Sequence, residues 1–232
     1  MAGNSDERDA ASVPLPAPAA GVSLWWCALA APPARMQLLE ARLSPAELAR
    51  ADRFGSPALR DRYVVGRASL RGILGSLLAM APQDVPIVRG ERGRPQLGID
   101  RGLDFNVSHT AGVALIGATR GARIGVDVER LDRTINVAGI SRKFLTGAER
   151  RGLADLDANT ARRRVLRLWT CKEAMSKATG DALSAPFGSL DVALDDEPRL
   201  CAGPPPYDPS RWMLRSAAVP ADYVATVALW QP

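Results

Sequence analysis

Polar and apolar residues alternate along Asp104-Phe105-Asn106-Val107, and an apolar run follows from Gly112 to Ala118. Ile124-Gly125-Val126-Asp127-Val128-Glu129 alternates again. These stretches predict three strands. Between 162 and 179 the period lengthens. Val165, Leu168, Trp169, Ala174 and Met175 form one apolar face of a helix, and Gly180 supplies its C-terminal stop. Ser44-Pro45-Ala46-Glu47 opens another helical region, with Ser at the N-cap, Pro at N1 and Glu at N3.

The pattern repeats. Residues 22–30 and 124–132 align without a gap at an offset of 102, so Val22-Ser23-Leu24-Trp25-Trp26 faces Ile124-Gly125-Val126-Asp127-Val128. The same offset sets LSPAE (43–47) against LTGAE (145–149), a second capping box. AGVALI (111–116) resembles ATVALW (225–230) at a slightly larger offset. Each half reads strand, crossover, capped helix, longer helix, two strands. The expected fold is therefore α/β (α+β): two similar α/β halves in one chain, 21–118 and 119–232, packed as a pseudo-dimer. Residues 1–20, rich in Ala, Pro and charge, are expected to be a disordered tail. The active site is expected between the halves.

The repeat also shows where the halves differ. Trp25 and Cys27 of the first copy face Asp127 and Glu129 of the second. Residues two apart on a strand share a face, so these carboxylates emerge side by side. Adjacent anions suit a hard cation such as Mg²⁺, although a solvated strand end gives the same pattern. Glu173 and Lys177, four apart on the helix, share a face as an ordinary surface pair would. Glu91-Arg92-Gly93-Arg94-Pro95 is a glycine turn bearing arginines. The 47–71 region carries Arg50, Arg53, Arg60, Arg62, Arg67 and Arg71, either a solvated basic face or a phosphate-binding one.

Composition narrows the class. Apolar residues make up 47% of 232 residues, enough for an ordered core, and the net charge of +5 favours anionic partners. No run approaches the ~20 apolar residues of a membrane span, and the N-terminus lacks the basic start and apolar centre of a signal peptide. A cytoplasmic protein is the expectation. Cys27, Cys171 and Cys201 have no zinc spacing and imply no disulfide framework; buried thiols are the plain reading. Lysine occurs only at 143, 172 and 177 among many arginines. Two lysines in one short motif suggest a site that wants a compact ammonium. His109 is the only histidine.

Taken together, GRP (93–95), FNVSHT (105–110), GVDVE (125–129) and WTCKEAMSK (169–177) resemble the 4′-phosphopantetheinyl transferases of the surfactin-synthetase type. The resemblance spans about 44 to 190. It implies that fold, with the cleft between two halves. It also implies transfer of the 4′-phosphopantetheine arm of coenzyme A to a serine of an acyl or peptidyl carrier protein, with release of adenosine 3′,5′-bisphosphate. By that resemblance Asp127, Glu129 and Glu173 hold Mg²⁺, with Mn²⁺ as a substitute. Ser108 and His109 bind coenzyme A phosphate, and the His109 pKa is expected to rise beside the anion. Lys177 neutralises phosphate, Arg94 holds another phosphate group, and Arg50 and Arg53 lie near the nucleotide. Glu173 is a candidate base for the serine proton. Glu47 departs from the pattern where some relatives have lysine, and Tyr63 where some have threonine. The implied partner is an acidic carrier protein, with neither nucleic acid nor membrane, and the implied assembly is a monomer.

Two rival readings share these residues. A metal-dependent nuclease also uses clustered carboxylates with a lysine, but aromatics are only 5% and form no stacking row. A non-catalytic carrier binder would be expected to have lost the carboxylates, and all three stand.

Overall fold

The computed structural model describes residues 12–90 and 92–232. Its first half runs β1 (Ser12–Leu15), β2 (Val22–Ala28), α1 (Pro33–Glu40), α2 (Pro45–Ala51), α3 (Pro57–Leu78), β3 (Ile87–Arg89), β4 (Pro95–Leu97), β5 (Leu103–Thr110) and β6 (Val113–Arg120). The second runs β7 (Arg123–Arg130), α4 (Val137–Phe144), α5 (Gly147–Arg151), α6 (Ala158–Thr179), β8 (Asp191–Leu194), β9 (Pro198–Ala202), β10 (Trp212–Ser216) and β11 (Tyr223–Trp230). From β2 onward the orders are the same: strand, three helices, a small hairpin, two strands.

The repeat extends to sheets and helix ends. Strand order β2-β6-β5 in one half matches β7-β11-β10 in the other. Glu47 and Glu149 each close a capping box, accepting from the N–H of Ser44 and Thr146. The two long helices both end on a left-handed residue, Ala79 (φ 54°) and Gly180 (φ 85°).

Each half has its own core. Leu70, Leu74, Phe105 and Ile116 belong to the first, and Val165, Leu168, Met175 and Leu190 to the second. A third cluster joins them: Val22, Leu24 and Leu115 pack against Ile124, Val126, Val128 and Val227. The sheets of the two halves thus meet face to face, as a dimer of similar subunits would.

Two expectations need correction. Residues 12–15 are not tail but an edge strand paired antiparallel with β2, Val13 opposite Trp26. Pro14 lacks an N–H and is tolerated because β1 is at the edge of its sheet. Of the rest of the predicted tail, 16–20 turn the chain from β1 into β2, and 1–11 lie outside the described residues. Cys27 and Cys171 are buried as expected, but Cys201 is exposed. Among the described residues no helix is long and apolar enough to cross a membrane.

Candidate active site

The site is built on a polar ladder between the halves. Alternation on β5 puts Asp104, Asn106 and Ser108 on one face. Their side-chain oxygens accept hydrogen bonds from the backbone N–H groups of Ile124 (2.7 Å), Val126 (3.0 Å) and Val128 (3.3 Å) on β7. The other edge of β7 pairs with β11. This edge of β7 is therefore satisfied by side chains of the first half, which fixes Ser108 and His109 beside Asp127 and Glu129.

Helix α6 completes the arrangement because β7 carries glycine at 125. A Cβ there would fall 1.8 Å from the Ala174 carbonyl oxygen and 2.7 Å from the Ala178 nitrogen, so the helix rests directly on the strand. Glu173 and Lys177 precede those two alanines and come to the same cavity as Asp127. Lys177 Nζ donates to Asp127 Oδ1 (2.6 Å) and to Ser108 Oγ (2.9 Å). Ser108 Oγ in turn donates to Asp127 Oδ1 (2.8 Å). Lys177 therefore pairs with Asp127 on the neighbouring strand, and its hydrogen bonds do not involve Glu173.

A cavity of about 430 Å³ is lined by Ser108, His109, Asp127, Glu129, Glu173 and Lys177. Asp127 is 4% exposed, and its Oδ2 is buried without a hydrogen-bond partner. The Glu173 carboxylate has no protein partner among the described residues. Burial, then repulsion from Asp127, raises the pKa of both Glu129 and Glu173 above the ordinary carboxylate value. Unshared lone pairs and mutual repulsion are what a hard divalent cation relieves, so the donor chemistry fits Mg²⁺. Asp127, Glu129 and Glu173 line one cavity, although among the described residues no three such side chains form a closed metal-binding group. Protein cations hold two of the three. Glu129 is ion-paired with Arg133, as Asp127 is with Lys177.

A second cavity, about 540 Å³, adjoins the first, and the two share Val107 and His109. Arg50, Arg62, Arg67, Arg89 and Tyr63 line it, and the Arg50 guanidinium lies 5.6 Å from the Tyr63 ring centroid. Arg53 does not line it. The walls around His109, then the charges of Lys177 and Arg67, hold its imidazole below 6.5 in the absence of ligand. The expected rise belongs to the phosphate-bound state, where an anion would oppose the burial and the cations that act on the ring here.

Three assignments from sequence change. Arg94 is not available for phosphate. It is 8% exposed, and donates to Asp104 (2.9 and 2.6 Å) and to the carbonyls of Phe105 (3.1 Å), Ile124 (2.8 Å) and Lys177 (2.8 Å). It braces the hairpin, β5, β7 and the end of α6 against one another. Ser108 uses its hydroxyl within the Asp127–Lys177 cluster. Lys172 lies in the core of the second half, donating to Glu149 (2.6 Å), Phe144 O (2.9 Å) and Phe187 O (2.8 Å). Sequence reasoning missed Arg89, Arg133 and Trp169 as lining residues. Arg67 and Tyr63 had a usable signal, their spacing of four on one helix face.

Comparison with known proteins points to one family. The model of the 4′-phosphopantetheinyl transferase superfamily matches residues 123–228. The chain is 36% identical over 219 residues to 4′-phosphopantetheinyl transferase HetI of Nostoc sp., covering 91% of this chain and 90% of the relative. It is 26% identical to 4′-phosphopantetheinyl transferase Sfp of Bacillus subtilis over 67% of this chain and 68% of that one. A holo-(acyl-carrier-protein) synthase of Bacillus anthracis, solved with CoA (3′,5′-ADP), superposes on 48% of this chain and 98% of its own, with 24% identity and a TM-score of 0.39. The motifs, the two-half fold and the near full-length relationship to HetI agree: this chain is an enzyme belonging to the 4′-phosphopantetheinyl transferases, of the surfactin-synthetase type.

Proposed function

We propose that the protein transfers the 4′-phosphopantetheine arm of coenzyme A to a serine hydroxyl of an acyl or peptidyl carrier protein, with Mg²⁺. The observation that carries this reading is the cavity where Asp127, Glu129, Glu173, Lys177 and His109 meet between the halves. The serine oxygen attacks the diphosphate phosphorus that bears the pantetheine arm. The bridging P–O bond breaks, and adenosine 3′,5′-bisphosphate leaves with the electron pair.

Glu173 accepts the serine proton. Its carboxylate has no protein partner among the described residues to compete for that proton. Lys177 and His109 offset phosphate charge, and Ser108 orients Asp127. Arg50 lies toward the nucleotide, in the arginine-lined cavity. Asp127, Glu129 and Glu173 are the residues that would hold Mg²⁺, which supplies charge neutralisation on the diphosphate. The net charge of +5 suits an acidic carrier and mainly raises the association rate.

The test is release of adenosine 3′,5′-bisphosphate from coenzyme A in the presence of an apo carrier, followed by chromatography. Release is expected to stop in excess chelator and to return with Mg²⁺ or Mn²⁺. Full release in chelator would remove the metal from the proposal.

A further inference from the structure

The three carboxylates of the catalytic cavity are not equally free. Glu173 has no protein partner among the described residues, and Asp127 keeps its Oδ2 buried and unpartnered. Glu129 differs. Its Oε1 accepts from Arg133, and its Oε2 lies 3.5 Å from Thr110 Oγ1. A cation of the chain itself therefore occupies one of the three.

Local structure puts that cation there. β7 ends at Arg130, and the chain turns at once. The Arg133 N–H donates to the Arg130 carbonyl (3.2 Å), and the Leu131 N–H donates to the Asp222 carbonyl just ahead of β11 (2.8 Å). This anchored turn brings residue 133 back toward residue 129. Arg130 is paired instead with Asp132 (2.8 Å), and its guanidinium lies 6.0 Å from the Tyr223 ring centroid. Of the two arginines, only Arg133 lines the cavity.

Lys177 and Arg133 hold their carboxylates in different ways. Lys177 comes from α6, its side chain is 26% exposed, and a second hydrogen bond to Ser108 keeps it in place. The Arg133 side chain is 50% exposed, and among the described residues its one ion pair is with Glu129. An exposed arginine regains water when it lets go, so releasing it costs little. At equal distance a divalent cation attracts a carboxylate twice as strongly as a guanidinium does. A metal entering this cavity would therefore displace Arg133 and leave Lys177 where it is.

We propose that Arg133 is a resident counter-ion of Glu129 that the metal must displace, so that this arginine sets how tightly the cavity holds Mg²⁺. The inference rests on the metal reading of the site. With Arg133 on Glu129 the cavity offers Asp127 and Glu173. With Arg133 turned out to solvent it offers all three. In the metal-free enzyme the pair limits repulsion among the carboxylates.

The experiment uses the full chain and Mn²⁺ as the probe, with free Mn²⁺ measured by its electron paramagnetic resonance signal. Titrations are run without and with coenzyme A, against coenzyme A alone as the blank, and no carrier is present. Arg133→Gln is expected to bind Mn²⁺ about two- to fivefold more tightly, the range of one partly exposed ion pair. Long-range repulsion between Arg133 and the metal also predicts tightening, and a double-mutant cycle separates the two. In a Glu129→Gln background the arginine has no carboxylate to compete for, so Arg133→Gln should leave affinity unchanged. Bare repulsion predicts the same factor in both backgrounds. Equal tightening in both overturns the counter-ion role. Wild-type binding that is lost in Asp127→Ala but unchanged or weakened in Arg133→Gln overturns this inference and leaves the metal reading standing. Wild-type protein that binds no Mn²⁺ in either condition overturns the metal reading and this inference with it.

Discussion

Replacing Arg94 with Met decides between two roles for the same side chain. Arg94 is nearly buried, pairs with both oxygens of Asp104, and ties down three carbonyls from both halves. Met keeps the volume and removes all six side-chain hydrogen bonds, the sixth being to the Pro95 carbonyl. Asp104 would retain only the Ile124 N–H at 2.7 Å and the Arg123 guanidinium at 3.6 Å. Breaking a buried pair by removing one partner costs about 3–5 kcal/mol. In a chain of 150–250 residues each kcal/mol moves Tm by about 2–4 °C, so the melt should fall by about 6–20 °C. The assay is thermal unfolding followed by circular dichroism, with coenzyme A affinity measured well below the transition. Arg94→Met/Asp104→Asn should recover part of the loss, because no charge is then left unpaired. A phosphate ligand would behave otherwise: Tm within ~2 °C of wild type, the lower end of that conversion, with coenzyme A affinity reduced. That result would refute the bracing role.

Lys172→Met, which strands the buried Glu149 carboxylate, should cost about 3–5 kcal/mol in denaturant unfolding; an unchanged midpoint would contradict the buried pair. Burial holds His109 below its ordinary value without ligand, and an incoming phosphate raises its pKa, so coenzyme A binding at a pH between the free and bound values should take up a proton. Calorimetry in buffers of different ionisation enthalpy reads this, and His109→Asn should abolish the buffer dependence. Glu173→Gln should stay at least about a hundredfold down in kcat at saturating Mg²⁺, while Glu129→Gln is substantially rescued because water fills an empty Mg²⁺ position; equal rescue would leave Glu173 without a base role. Because the interface between similar halves is internal, light scattering should report a monomer, and an obligate dimer would contradict that reading.

The parts of this molecule legible in sequence are those governed by local rules. Both capping boxes are contiguous motifs, and strand alternation placed Asp127 and Glu129 on one face. The repeat survived because helix starts and strand patterns recur at a nearly constant offset. Tertiary pairing was not legible. Arg94 sits in a glycine turn that looks exposed, and its carbonyl partners become neighbours only when the halves close. Lys177 shares a helix face with Glu173, but Gly125 brings β7 so close that Asp127 takes the ammonium instead. The β1 strand was hidden by Pro14 and by a tail-like composition, since an edge strand tolerates what an inner one does not. Arg67 was one of six arginines in its region until the fold showed which of them Glu47 holds beside the cavity.

The most direct test of the central claim is the intact mass of several apo carrier proteins after incubation with this enzyme, coenzyme A and Mg²⁺. The account predicts that at least one carrier gains a single phosphopantetheine group on its serine with wild-type protein, and that the gain is lost with Asp127→Ala. Carriers of unchanged mass, or modification that persists in Asp127→Ala, would contradict it.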